Sequence, residues 1–87
     1  MIENAIVITG RAQGTVASAA QSPKLPAGIY DVWGTADMYV KVSKTTASDV
    51  TSGTGYLIRS GQTVPLKLAA GECIGVTGAT LSYHQVG

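Results

Sequence analysis

Two side chains in the sequence are chemically versatile near neutral pH, His84 and Cys73, and each residue type occurs once. A histidine can act as a general base or a metal ligand, but no second imidazole exists to build a nitrogen site around it. In Leu81-Ser82-Tyr83-His84-Gln85-Val86, strand alternation groups His84 with Ser82 and Val86, away from Leu81, Tyr83 and Gln85, which predicts a surface or edge position. Cys73 lies between Glu72 and Ile74, with no adjacent base or cation to favour the thiolate that a nucleophile requires. A structural thiol is expected there. Asp31, Asp37 and Asp49 are too widely spaced for a calcium loop and read as loop and turn residues. Gly53-Thr54-Gly55 lacks the third glycine, the lysine and the helix of a phosphate-binding loop. A small enzyme or metal-binding barrel would have one histidine and one cysteine to work with, which is no credible set of ligands or nucleophiles. The residues thus specify no reaction, cofactor or metal, and the expected protein is not an enzyme.

Binding and assembly remain, and composition narrows them. With 87 residues the chain makes one domain, and a thin core makes self-association or a partner useful to it. Charged residues are 13% of the chain, and Arg11, Lys24, Lys41, Lys44, Arg59 and Lys67 are dispersed against five acidic residues. That pattern gives no field for phosphates, so nucleic acid is not an expected partner. No apolar stretch is long enough for a spanning helix, so no membrane is expected either. Glu3 and Asn4 interrupt the start of the chain before the short run Ala5-Ile6-Val7-Ile8, a pattern unlike a signal peptide. A lone cysteine is compatible with a reducing cytosol.

The elements that would carry any binding surface are strands. Ala5 to Ile8 is continuously apolar and β-branched. Gly14 to Ala20 has no helical stripe and reads as an extended arm or edge strand, followed by a Pro-rich connection around Pro23 and Pro26. Ile29-Tyr30-Asp31-Val32-Trp33 and Met38-Tyr39-Val40-Lys41-Val42 are joined by Gly34-Thr35-Ala36-Asp37, a spacing that predicts a hairpin. Residues 44–55 are polar and glycine-rich and predict a long exposed loop. Strands follow at Tyr56–Arg59, at Val64–Leu68 with Pro65 marking a sheet edge, at Cys73–Val76 and at Leu81–Val86. Leu25-Pro26-Ala27-Gly28 before one strand echoes Leu68-Ala69-Ala70-Gly71 before another, which predicts two similar hairpins facing across the core. With no phenylalanine present, Trp33 and the four tyrosines are expected to fill that core. Tyr39 is the exception: it alternates with Lys41 and Ser43 against Met38, Val40 and Val42, so it points outward and is a candidate anchor for a partner.

Short strands and turns without a crossover helix predict an all-β chain, a small antiparallel β-sandwich or barrel with an extended N-terminal arm. The expected division is an arm and hinge over residues 1–24 and a compact β-domain over residues 25–87. The strings Pro26-Ala27-Gly28-Ile29-Tyr30-Asp31-Val32-Trp33, Asp37-Met38-Tyr39-Val40-Lys41-Val42, Gly55-Tyr56-Leu57-Ile58-Arg59 and Gly61-Gln62-Thr63-Val64-Pro65-Leu66 up to Ala70-Gly71 resemble small β-rich structural proteins of tailed bacteriophages. That resemblance covers about two thirds of the chain. It implies a virion component made in the host cytoplasm, most plausibly a capsid decoration or cement protein on the capsid surface. It further implies the major capsid protein as partner and a homo-oligomer, with a trimer favoured. An arm role suits residues 1–20, with Ala5, Ile6, Val7 and Ile8 pairing with a neighbouring chain or the shell, or else forming the sandwich's first strand. A different reading is a tail, fibre or baseplate module that touches a host receptor through residues 45–55.

Overall fold

A computed structural model describes residues 12–87, so the pairing expected of Ala5, Ile6, Val7 and Ile8 lies outside the described residues. Among the described residues eight strands form an all-β sandwich: β1 (Gln13–Val16), β2 (Ala20–Gln21), β3 (Gly28–Gly34), β4 (Met38–Ser43), β5 (Tyr56–Ile58), β6 (Val64–Leu68), β7 (Cys73–Thr77) and β8 (Leu81–Gln85). Sheet A has the order β1-β8-β3-β6 and sheet B the order β2-β7-β4-β5, every pairing antiparallel. The sheets do not close into a barrel. Alternation places Tyr30 and Val32 of β3, Met38 and Val40 of β4, Ile74 and Val76 of β7, and Leu81 and Tyr83 of β8 between the layers. Val16, Leu25, Ile58 and Leu68 complete this core. Apart from Tyr30, Tyr83 and Met38 these are aliphatic side chains of modest size, so apolar area comes from interdigitation of two sheets, as a sandwich requires.

The expected hairpins are not hairpins. β3 and β4 are consecutive but belong to different sheets, and so do β7 and β8. Their turns arch over the core from one layer to the other. The reason lies in the inward residues: Tyr30 and Val32 face Met38 and Val40 across the interior, which buries both sets, whereas a hairpin would lay them side by side on one face. The two arches then pair with each other, β3 with β8 in sheet A and β4 with β7 in sheet B.

This arrangement has an internal two-fold relation that the echo at Leu25 and Leu68 only hinted at. β1 to β4 occupy sheets A, B, A and B, while β5 to β8 occupy B, A, B and A. β1 and β5 begin at Gln13 and Tyr56, and β4 and β8 at Met38 and Leu81, forty-three residues apart in both cases. Exchanging each strand with the one four places along converts the pairings of sheet A into those of sheet B. All six ladders therefore join the first half to the second, and neither half pairs with itself. The echoed leucines occupy equivalent corners: Leu25 bridges Glu72 and Leu68 is opposite Gly28, and both leucines are buried.

The described part of the expected arm is built into the sandwich. β1 is the edge strand of sheet A and β2 the edge strand of sheet B, and Ser22 is buried with its hydroxyl accepting the Ile74 N–H at 2.9 Å. Within the described residues, then, β1 and β2, which fall in the expected arm, are paired strands of the two sheets. The edge reading of Gly14 onwards is met for β1, and Pro65 does lie in an edge strand, β6, opposite Asp31. Its missing N–H removes a donor from the open side of the sheet, which discourages uncontrolled strand addition there.

Of the aromatic residues, only Tyr30 and Tyr83 fill the core, with ring centroids 6.3 Å apart. Tyr30 Oη donates to the Pro26 carbonyl at 2.7 Å, which satisfies its one polar atom. Burial pushes both phenols above the ordinary tyrosine range, and Tyr83 adds to the effect at Tyr30. In the unfolded chain these groups ionise near pH 10, whereas the sandwich holds their protons to higher pH. Their contribution is thus complete below about pH 10 and is lost as pH rises through the folded values. Thermal melts from about pH 8 to 12 should show a Tm that falls above pH 10, and Tyr30→Phe should flatten that fall. An unchanged profile in the variant would contradict the assignment.

Candidate functional site

The outer faces of the two sheets differ, and the difference locates the site. On sheet B, residues 44–55 fold back over the strands, and Ala47 and Val50 are buried beneath. Gln21 Oε1 accepts the Ala47 and Ser48 N–H groups at 2.8 and 3.1 Å, and Lys41 Nζ pairs with Asp49 Oδ1 at 2.9 Å. That hydrogen bond holds the Asp49 carboxyl below its ordinary range. The Ala47 carbonyl rests directly on Gly75 of β7, and Gly55 packs against Tyr39. The predicted exposed loop is therefore a cover at its apolar positions, with Thr51 to Thr54 its exposed tip. Tyr39 does lie on the outer face, but half-buried under this cover.

Sheet A has no such cover among the described residues. Ile29 and Trp33 of β3 are 42% and 39% exposed, the outward partners of buried Tyr30 and Val32. The register sets Gln13, His84 and Asp31 side by side across β1, β8 and β3, and Thr15, Ser82 and Trp33 in the next row. Trp33 and His84 are diagonal neighbours on this ladder, within reach of an aromatic side chain. Gln13, Gly14, Thr15, Trp33, Ser82, Tyr83 and His84 line a shallow depression of about 420 Å³, and Asp31 lies outside that lining, beside His84 in the register. His84 is half-buried, and its Nε2 is shielded from water without a hydrogen-bond partner.

No family model, curated protein or solved structure matches the chain. What the site can do therefore follows from its own residues. His84 is on sheet A and Cys73 is buried in sheet B, so the two groups with catalytic potential are not brought together. No group of three or more metal-ligating residues occurs among the described residues. The depression offers one indole face, neutral donors and acceptors, and one carboxylate at its rim.

Two sequence expectations change here. Trp33 is an outward residue and not a core residue, and Asp31 lies in mid-strand and not in a turn. One signal could have exposed both: a carboxylate two residues before Trp33 in a period-2 strand belongs to the wet face, and Trp33 shares it. The other acidic turn residues are placed as expected, with Asp37 Oδ1 accepting the Ser60 N–H at 2.8 Å and Asp49 in the covering loop.

Proposed function

We propose that this protein is a structural component of a tailed-phage virion, a capsid decoration or cement protein that binds the major capsid protein lattice as a homo-oligomer, a trimer being favoured. The observation that carries the reading is the position of β1. The strand that the Ala5–Ile8 run leads into lies at the margin of sheet A, and the core of the described residues closes around Val16, Leu25, Tyr30 and their neighbours. An apolar, β-prone segment joined to an edge strand is suited to adding to a neighbouring sheet, where main-chain hydrogen bonds supply affinity. A cement protein needs a stiff body and contact area, not reacting groups.

Deleting residues 1–10 tests this. The shortened chain should keep its β-sheet circular dichroism but lose its oligomer and its binding to capsids, read by sedimentation of particles with bound protein. Undiminished particle binding with an unchanged oligomer would reject the arm role. A tail, fibre or baseplate module that contacts a receptor is the second reading, and the uncovered depression at Trp33 favours it. Copy number per particle separates the two, because head-wide copies fit a cement protein and a few copies at one vertex or the tail fit adhesion.

A further inference from the structure

The depression on sheet A combines features that a mere solvent-facing sheet does not need. Trp33 projects from the next-to-last position of β3, paired to Ser82 of β8, and its side chain has two torsions to fix on binding. Around it, the side chains of Gln13, Thr15, Asp31 and Ser82 make no hydrogen bond within the chain among the described residues. His84 Nε2 is shielded and unpartnered, an arrangement that a hydrogen-bonding ligand would relieve. On sheet B the corresponding outer face is closed by residues 44–55, whereas among the described residues nothing closes this one.

The chemistry of the lining selects the ligand class. Among the described residues an anion is disfavoured, because Asp31 is the charge beside the depression and no lysine or arginine of residues 12–87 lines it. A stacked nucleotide would bring phosphates to the same uncompensated carboxylate. A purely apolar surface would leave up to four polar side chains of the lining, Gln13, Thr15, Ser82 and His84, desolvated without partners. A pyranose matches both halves of the lining. Its C–H face lies on an indole, and its hydroxyls donate to Asp31 and exchange hydrogen bonds with Gln13, Thr15, Ser82 and His84. The χ2 torsion of histidine is broad, so the ring can turn a nitrogen towards a hydroxyl.

We propose that this depression, between β1, β8 and β3, is a saccharide-binding site that takes one neutral pyranose against Trp33, with His84 and Asp31 holding its hydroxyls. The volume of about 420 Å³ falls in the range of small-ligand sites, and its open shape fits weak, exchangeable binding. The proposal is independent of the virion reading, since the site serves either a decorated head or an adhesive tail.

Trp33 is the only tryptophan, so emission excited selectively through tryptophan, apart from the four tyrosines, reports this site. The full chain would be titrated with the methyl pyranosides of glucose, galactose and mannose, with N-acetylglucosamine, and with maltohexaose and chitotriose. At least one should give a saturable emission shift with a Kd of about 0.1–10 mM. The nuclear magnetic resonance signals of Trp33, Ser82 and His84 should move with it, while those of Tyr39 and the 44–55 loop stay still. Trp33→Ala should abolish those resonance shifts, and His84→Gln and Asp31→Asn should each weaken binding roughly tenfold with Tm unchanged. Absence of a saturable response across the panel overturns the proposal, as does saccharide binding that survives Trp33→Ala. Tetramethylammonium is the counter-probe: saturable binding of this cation with no saccharide response would make the site a cation receptor and likewise refute it.

Discussion

Replacing Gly75 with alanine is expected to destabilise the sandwich by about 2–4 kcal/mol, among the largest effects available from one methyl group. Gly75 points outward from β7, and a Cβ there would overlap the backbone carbonyl of Ala47. Neither partner can yield at low cost. β7 is hydrogen-bonded on both sides, to β2 and β4, and the loop is held to the sheet by Gln21 Oε1 and by the Lys41–Asp49 pair. Retreat of the loop would also expose Ala47 and Val50, both now buried. A domain of this size has only about 5 kcal/mol to lose, so the variant should unfold at much lower urea. Gly53→Ala is the control, because only Thr51 Oγ1, at 3.7 Å, lies near its new methyl. Equal urea midpoints for the two variants would show that the loop does not press on β7.

Cutting the chain between Ser52 and Gly53 should leave a folded protein held together without a covalent link. Both residues lie in the exposed tip of the loop, while every ladder runs between the halves on either side of it. Separately expressed as residues 1–52 and 53–87, each piece lacks all of its strand partners and should show no β-sheet circular dichroism. An isolated strand set with no pairing has nothing to offset its chain entropy. Mixed in equal amounts, the two should regain the native spectrum and co-elute as one complex. A native-like spectrum from either piece alone would sink the idea that the halves depend on each other.

Much of this fold was written plainly in the residue pattern, because the signals that carry it are local. Alternation at Met38, Val40 and Val42 against Tyr39 and Lys41 predicts a strand with one wet side, and Pro65 predicts an edge. What stayed hidden is which strands pair. Gly34 to Asp37 has the length of a hairpin turn, and only the need to bury Tyr30 and Val32 against Met38 and Val40 turns it into an arch. That requirement is tertiary and leaves no mark in a four-residue string. The site was hidden for a related reason. A tryptophan in a phenylalanine-free chain looks like core, yet Tyr30 and Tyr83 already fill the interior and Asp31 fixes the wet side of its strand. Likewise the 44–55 loop reads as exposed from its serines, threonines and glycines. Ala47 and Val50, two small apolar residues among them, are what fasten it to sheet B.

The two-fold interlocking of the strands also decides when this polypeptide can become ordered. While a ribosome is still adding β5 to β8, the described strands β1 to β4 have no neighbour with which to pair, so their apolar stretches wait unsatisfied until those later strands emerge. Such dependence on distant partners slows the search for the native state. It also gives the finished molecule no piece that can peel away and persist alone. The nascent chain is thus at its most vulnerable to clumping before β8 emerges, and a chaperone that shields it would matter most in that interval.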